Sequence, residues 1–190
     1  MKKSKTINAS FISAASEVPF WMTNIGENEI ATVAETMAAK SFSMGAVTAK
    51  MEAEIAKQLD VPYVLCATSG SMALMMGLMG AGVGPGDEVI VPTRTFIATA
   101  HAASVLGAKV VMVDSLSESP NMDVAEAAKK ITPRSKAIMP VHLNGRMCDM
   151  AAIRALAEKH GLAVIEDACQ GMFSRGPDGY QGTLGDCGCF

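Results

Sequence analysis

Short apolar runs rich in β-branched residues alternate with helical patterns along most of this chain, and each joins the next through only a few residues. Alternation of this kind leaves little choice of architecture. Strands joined through helices run parallel, and their apolar faces need helices on both sides. The expected fold is therefore α/β, a mostly parallel sheet with helices on both faces. The runs fall at residues 63–67, 88–92, 109–113, 137–141 and 163–167, with another strand begun by 186–190. Helices are expected over 29–40, 47–59, 72–79, from Phe96 to about Leu106, over 123–130 and over 150–160, where apolar residues recur at helical spacing. Residues 1–28, with Trp21 beside Pro19 and Phe20, read as an extended arm carrying a hydrophobic anchor, and 29–190 as the large domain.

Composition narrows the function classes. A chain of 190 residues that is 49% hydrophobic and 18% charged buries a core and is not disordered. A net charge of -3 offers no basic footprint for nucleic acid or an anionic membrane. The longest apolar stretch, 72–84, is interrupted by glycines and is too short to span a bilayer, and no signal-peptide core follows Lys2, Lys3 and Lys5. A cytoplasmic location is the expectation. Five cysteines without a C-x-x-C spacing, and three scattered histidines, predict reduced thiols and no metal site.

Ligands of open parallel sheets bind beyond the carboxyl ends of the strands, so the residues there are the candidates for chemistry. The run Ala163-Val164-Ile165 ends in Glu166-Asp167-Ala168-Cys169-Gln170-Gly171. Asp167 either meets a ligand or caps a following helix, because Asp with Gln three residues later resembles a capping box. After the run 63–67 comes Thr68-Ser69-Gly70-Ser71 and then a helix. Ser69, Gly70 and Ser71 read as a phosphate cradle, since free N–H groups and the positive end of the helix dipole favour an anion. An ordinary capped turn fits the same letters. Phe96, after the run 88–92, would lie flat on a heterocyclic ring or serve as a packing staple. His142 stands at the end of 137–141, facing the same pocket. The glycines at 77, 80, 82, 84 and 86 are no dinucleotide fingerprint, because they end a helix and lead into a strand.

Taken together, Thr68-Ser69-Gly70-Ser71-Met72-Ala73-Leu74, Gly84-Pro85-Gly86-Asp87-Glu88-Val89-Ile90, Thr95-Phe96-Ile97-Ala98-Thr99-Ala100, Ile131-Thr132-Pro133-Arg134-Ser135-Lys136-Ala137-Ile138, Pro140-Val141-His142-Leu143-Asn144-Gly145 and Ile165-Glu166-Asp167-Ala168-Cys169-Gln170 stand in an order that resembles the DegT/DnrJ/StrS family of pyridoxal-phosphate sugar aminotransferases. The resemblance covers about Trp21 to Phe190. It implies the large domain of the fold type I transferases, a homodimer, and amino transfer from an amino acid, usually glutamate, to a nucleotide-linked keto sugar. By the same resemblance Ser69, Gly70 and Ser71 hold the cofactor phosphate, although the family more often has Thr at the third position. Phe96 stacks on the pyridine ring, Asp167 pairs with the pyridine nitrogen, and Gln170 sits beside the ring and its phenolic oxygen.

One family residue has no counterpart. The lysine that carries the cofactor as a Schiff base follows a Cys-Phe-Ser-Phe type segment, and the sequence reaches only Cys189-Phe190. The expectation is thus the amino-terminal part of an aminotransferase, truncated before that lysine and without the smaller carboxyl-terminal domain, inactive alone. Two other readings stay open: a family dehydratase with histidine in place of the lysine, or a non-catalytic protein that binds cofactor, sugar nucleotide or a partner chain.

Overall fold

The computed structural model describes residues 23–190. The chain divides into two compact units, Met1–Val47 and Thr48–Phe190. Trp21, Pro19, Phe20 and the rest of the expected arm up to residue 22 lie outside the described residues.

In the first unit, helix α1 (Glu27–Ala38) starts after Gly26, whose N–H donates to Glu29 Oε2 at 2.7 Å. The carboxylate thus satisfies a donor that the helix itself leaves free. Helix α2 (Ala46–Leu59) ends on buried Leu59.

The second unit holds helix α3 (Gly70–Gly80), strand β1 (Glu88–Pro92), α4 (Ile97–Val105), β2 (Lys109–Val113), α5 (Val124–Lys130), β3 (Ser135–Ile138), α6 (Met150–His160), β4 (Ala163–Asp167), the short hairpin β5 (Arg175–Gly176) and β6 (Gly179–Tyr180), and β7 (Cys187–Cys189). The main sheet has five strands in the order β2-β1-β3-β4-β7, and every pairing in it is parallel. Its two faces follow from the alternation of side chains along each strand. Val89, Val91, Ala137 and Ile165 pack with Leu74 and Leu78 of α3 and Ala98, Ala102 and Ala103 of α4. Ile90, Ile138 and Val164 face the other way, onto Ala127 of α5 and Ile153 and Ala157 of α6. Helices thus cover both faces, as the alternation in the sequence requires.

At the amino-terminal ends of the strands, buried Glu88 accepts hydrogen bonds from Thr132 Oγ1 (2.6 Å), Arg134 Nη2 (2.7 Å) and Lys109 Nζ (3.1 Å). One carboxylate therefore ties β1 to the starts of β2 and β3. The Thr132 hydroxyl, then Arg134 and Lys109, pull the Glu88 carboxyl down to about 2.

The segment expected as the first strand is not one. Residues 63–67 join no sheet, and the fifth strand is β7 instead. Tyr63 is 89% exposed, and the N–H of Cys66 donates to Glu52 Oε1 of α2 at 2.8 Å in place of a ladder partner. A β-rich run becomes a strand only beside another strand. The stretch expected as a strand to residue 141 also stops early, at Ile138, leaving Val141 in a single bridge to Asp167.

Candidate active site

A cavity of about 230 Å3 opens where the carboxyl ends of β1, β3 and β4 meet the amino terminus of α3. Gly70, Ser71, Leu74, Thr95, Phe96 and Asp167 form much of its wall, with Ala98, Val141, Cys169 and Gln170 completing it. Open parallel sheets place their ligands in this position.

Asp167 arrives there by strand periodicity. Ile165 lies in the core under α3, so the side chain two residues on emerges from the same face at the end of β4. It is 6% exposed. Its Oδ2 accepts from Thr99 Oγ1 at 2.7 Å and its Oδ1 from the N–H of Cys169 at 3.3 Å. No helix follows β4, so the capping reading of Asp167 fails. Residues 168–174 are turns and irregular backbone instead.

The start of α3 combines both readings of its sequence. Ser69 caps the helix, accepting from the N–H of Met72 at 3.3 Å. The N–H groups of Gly70 and Ser71 stay at the cavity wall, where the helix dipole adds a partial positive charge. Gly70 is there for space: a Cβ would stand 2.9 Å from Cys169 Sγ and 3.3 Å from the carbonyl oxygen of Phe190.

Phe96 is the residue before α4 and is 69% exposed beside the cavity. A packing staple would be buried, so its ring is available to a flat ligand. Gln170 also lines the cavity, and its Oε1 accepts from the N–H of Asn144 at 2.7 Å, which leaves its Nε2 to donate elsewhere. Burial, and after it the neighbouring Asp167, push the Cys169 thiol up to about 12, which makes it a poor nucleophile at the cavity wall.

His142 is elsewhere. It is fully buried and does not line the cavity, which corrects the expectation from its place at a strand end. The N–H of Cys148 donates to Nδ1 at 3.1 Å, so the ring proton sits on Nε2 and goes to Glu166 Oε2 at 2.8 Å. Glu166 points away from Asp167 along β4 and also accepts from the N–H groups of Gly182 (2.9 Å), Leu184 (2.6 Å) and Gly185 (2.5 Å). Burial alone would raise its pKa, but the bonds from His142, Gly185 and Gly182 outweigh it and hold the carboxyl below its ordinary value. The pair fastens the 182–185 loop behind the site.

Thr95 and Thr99 escaped the sequence reading. Their spacing of four residues across a helix start was the signal that places two hydroxyls side by side.

A profile of the DegT/DnrJ/EryC1/StrS aminotransferase family matches residues 23–190. The chain belongs to that family. Within the family, a UDP-N-acetyl-3-dehydro-alpha-D-glucosamine 3-aminotransferase from Acidithiobacillus ferrooxidans is 47% identical over 150 residues, 79% of this chain and 41% of that protein. Among solved structures, Streptomyces venezuelae DesV in complex with a ketimine intermediate superposes with a TM-score of 0.75 at 38% identity, over 82% of this chain and 43% of that one. A Streptococcus pneumoniae protein named as a sugar aminotransferase, in its PLP form, gives 0.83 at 29% identity over 89% of this chain and 47% of its own. The chain thus spans less than half the length of the family members it matches. Its parallel sheet flanked by helices is the fold type I architecture of those aminotransferases.

Proposed function

We propose that this chain is the cofactor-binding part of a pyridoxal 5'-phosphate-dependent sugar aminotransferase, which takes an amino group from an amino acid, glutamate by resemblance, to a keto sugar linked to a nucleotide. The observation that carries the reading is convergence. A free helix amino terminus, a buried carboxylate and an exposed aromatic ring surround one cavity. The names of the relatives supply the substrate class, since they are aminotransferases of nucleotide sugars.

The residues fit the cofactor group by group. Gly70 and Ser71 offer N–H groups to a phosphate, with Ser69 holding the turn that presents them. A side chain at Gly70 would press on Cys169 and on the Phe190 carbonyl and so disturb the turn that presents them. Asp167, anchored at both oxygens, offers a negative charge to a protonated ring nitrogen in a place shielded from water, where such a charge counts most. Phe96 would cover one face of the ring, and Gln170 would donate to an oxygen on its edge. Bound in this way, pyridoxal phosphate supplies the electron sink for amino transfer. No lysine among the described residues lines the cavity, so this chain is expected to hold the cofactor without a covalent bond.

We read the protein as cytoplasmic, with its cysteines as thiols, and as a homodimer. Support for the dimer is an apolar groove between α3 and α4, lined by Met72, Met75, Ile97 and Val105, which shares Ser71 and Phe96 with the cavity. No described helix is long and apolar enough to cross a membrane.

Calorimetric titration with pyridoxamine 5'-phosphate tests the assignment. Asp167→Ala should weaken binding at least about tenfold, the loss expected for a charge-assisted bond. Equal affinity in the variant would return Asp167 to a structural part. Borohydride treatment with pyridoxal phosphate, read by mass spectrometry, should leave no adduct on a cavity residue.

A further inference from the structure

We propose that Thr99, which touches no part of the cavity itself, is a positioning residue: it fixes the Asp167 carboxylate so that the site prefers a ligand with a protonated ring nitrogen over one of the same shape without it. The inference rests on the cofactor reading above and adds a determinant of specificity to it. Thr99 is fully buried on the first turn of α4, behind Asp167. Three groups compete for its hydroxyl. Asp167 Oδ2 lies at 2.7 Å, the Phe96 carbonyl at 3.1 Å, and Thr95 Oγ1 at 2.7 Å.

A hydroxyl has one proton to give and two lone pairs to receive with. The carboxylate is the strongest and nearest acceptor, so the Thr99 proton goes to Asp167. Thr95 must then donate to Thr99, because Thr99 has no second proton. The result is a directed chain from Thr95, at the cavity wall, through Thr99 to Oδ2. The Phe96 carbonyl is still served by the Thr99 N–H at 3.2 Å. With Oδ2 held by Thr99 and Oδ1 by the Cys169 N–H, the carboxylate cannot swing about its own axis without breaking a bond. Its remaining lone pairs keep one direction toward the cavity, as a directional hydrogen bond to a cationic N–H requires.

The test compares two probes on the full chain: pyridoxamine 5'-phosphate and its analogue with a ring CH in place of the pyridine nitrogen. The readout is the ratio of their dissociation constants. A merely structural role for Thr99 would weaken both probes alike and leave the ratio unchanged. Thr99→Val keeps the shape but removes the hydroxyl, and should lower the preference for the pyridine about tenfold. Thr99→Ser, which restores the hydroxyl, should keep the wild-type ratio. Thr95→Val removes the donor that commits the Thr99 proton, and should lower the ratio by a smaller factor. A wild-type ratio in Thr99→Val, or an equal loss in Thr99→Ser, overturns the proposal. Asp167→Ala separates the two levels: if it abolishes the preference while Thr99→Val does not, Thr99 is wrongly placed and the cofactor reading stands. A wild-type chain with no preference overturns both.

Discussion

Adjacent residues at the end of β4 carry opposite tasks. Asp167 faces the cavity, whereas Glu166 faces the other core and spends both oxygens on His142 and three backbone N–H groups. Replacing Glu166 with Gln changes almost no volume but turns an amide N–H2 against those donors. Leaving buried donors unpaired costs about 1–3 kcal/mol or more each where a charge is lost with them. Glu166→Gln should therefore destabilise the chain by about 2–4 kcal/mol in denaturant unfolding, while Asp167→Ala should cost little stability and much cofactor affinity. The reverse pattern would mean that the two carboxylates have been given each other's roles. Strand parity also explains why His142 was misplaced from the sequence. Ala137 and Met139 face α3 and α4, so counting in twos puts Val141 at the cavity and His142 behind it. A polar residue at a strand end is attractive as a ligand only when its parity is checked.

At the scale of elements, the helix–strand alternation was legible because β1, β3 and β4 bury side chains on both faces, and such strands read as continuous apolar runs. Residues 63–67 carry the same composition yet stay out of the sheet, since composition cannot tell a strand from a run that lacks a neighbour. The loop behind the site was illegible for another reason: it is held through its own backbone, by N–H groups that reach Glu166 and by close approach to β7. Gly188 of β7 lies so close to Gly182 that an added Cβ would fall 1.9 Å from the Gly182 carbonyl oxygen. Gly188→Ala should thus displace β7 or the 182–185 loop and lower the unfolding midpoint, with amide exchange in both segments reporting which one moves.

Glu88 acts at the opposite end of the strands and makes stability depend on acid. Its folded pKa of about 2 lies below the ordinary 4.5, so the folded state favours the ionised form. The sign follows from linkage: this contribution is complete above about pH 4.5 and fades as pH falls toward 2. In Glu88→Gln the clamp loses its charge at every pH. The difference in unfolding free energy between wild type and variant should therefore be constant near neutrality and shrink on acidification through that window. A difference that grows with acid would refute the clamp.

At the scale of the whole chain, the resemblance in the sequence and the fold agree because several matching segments lie at the carboxyl ends of β1 and β4 and at the start of α3. Gly70-Ser71, Thr95-Phe96, Asp167 and Cys169-Gln170 are far apart in sequence and meet at one cavity, while Ser69 stands just outside it as the cap of α3. The Thr95–Thr99–Asp167 chain was not legible, since a contact across 68 residues needs the sheet to bring its ends together. The claim that this cavity receives the cofactor is tested most directly by amide chemical shifts of the labelled chain during titration with pyridoxamine 5'-phosphate. The Gly70 and Ser71 amides should move most, as phosphate meets their N–H groups, together with Phe96 and Cys169. Saturable shifts centred on another region, with those amides unmoved, would contradict it.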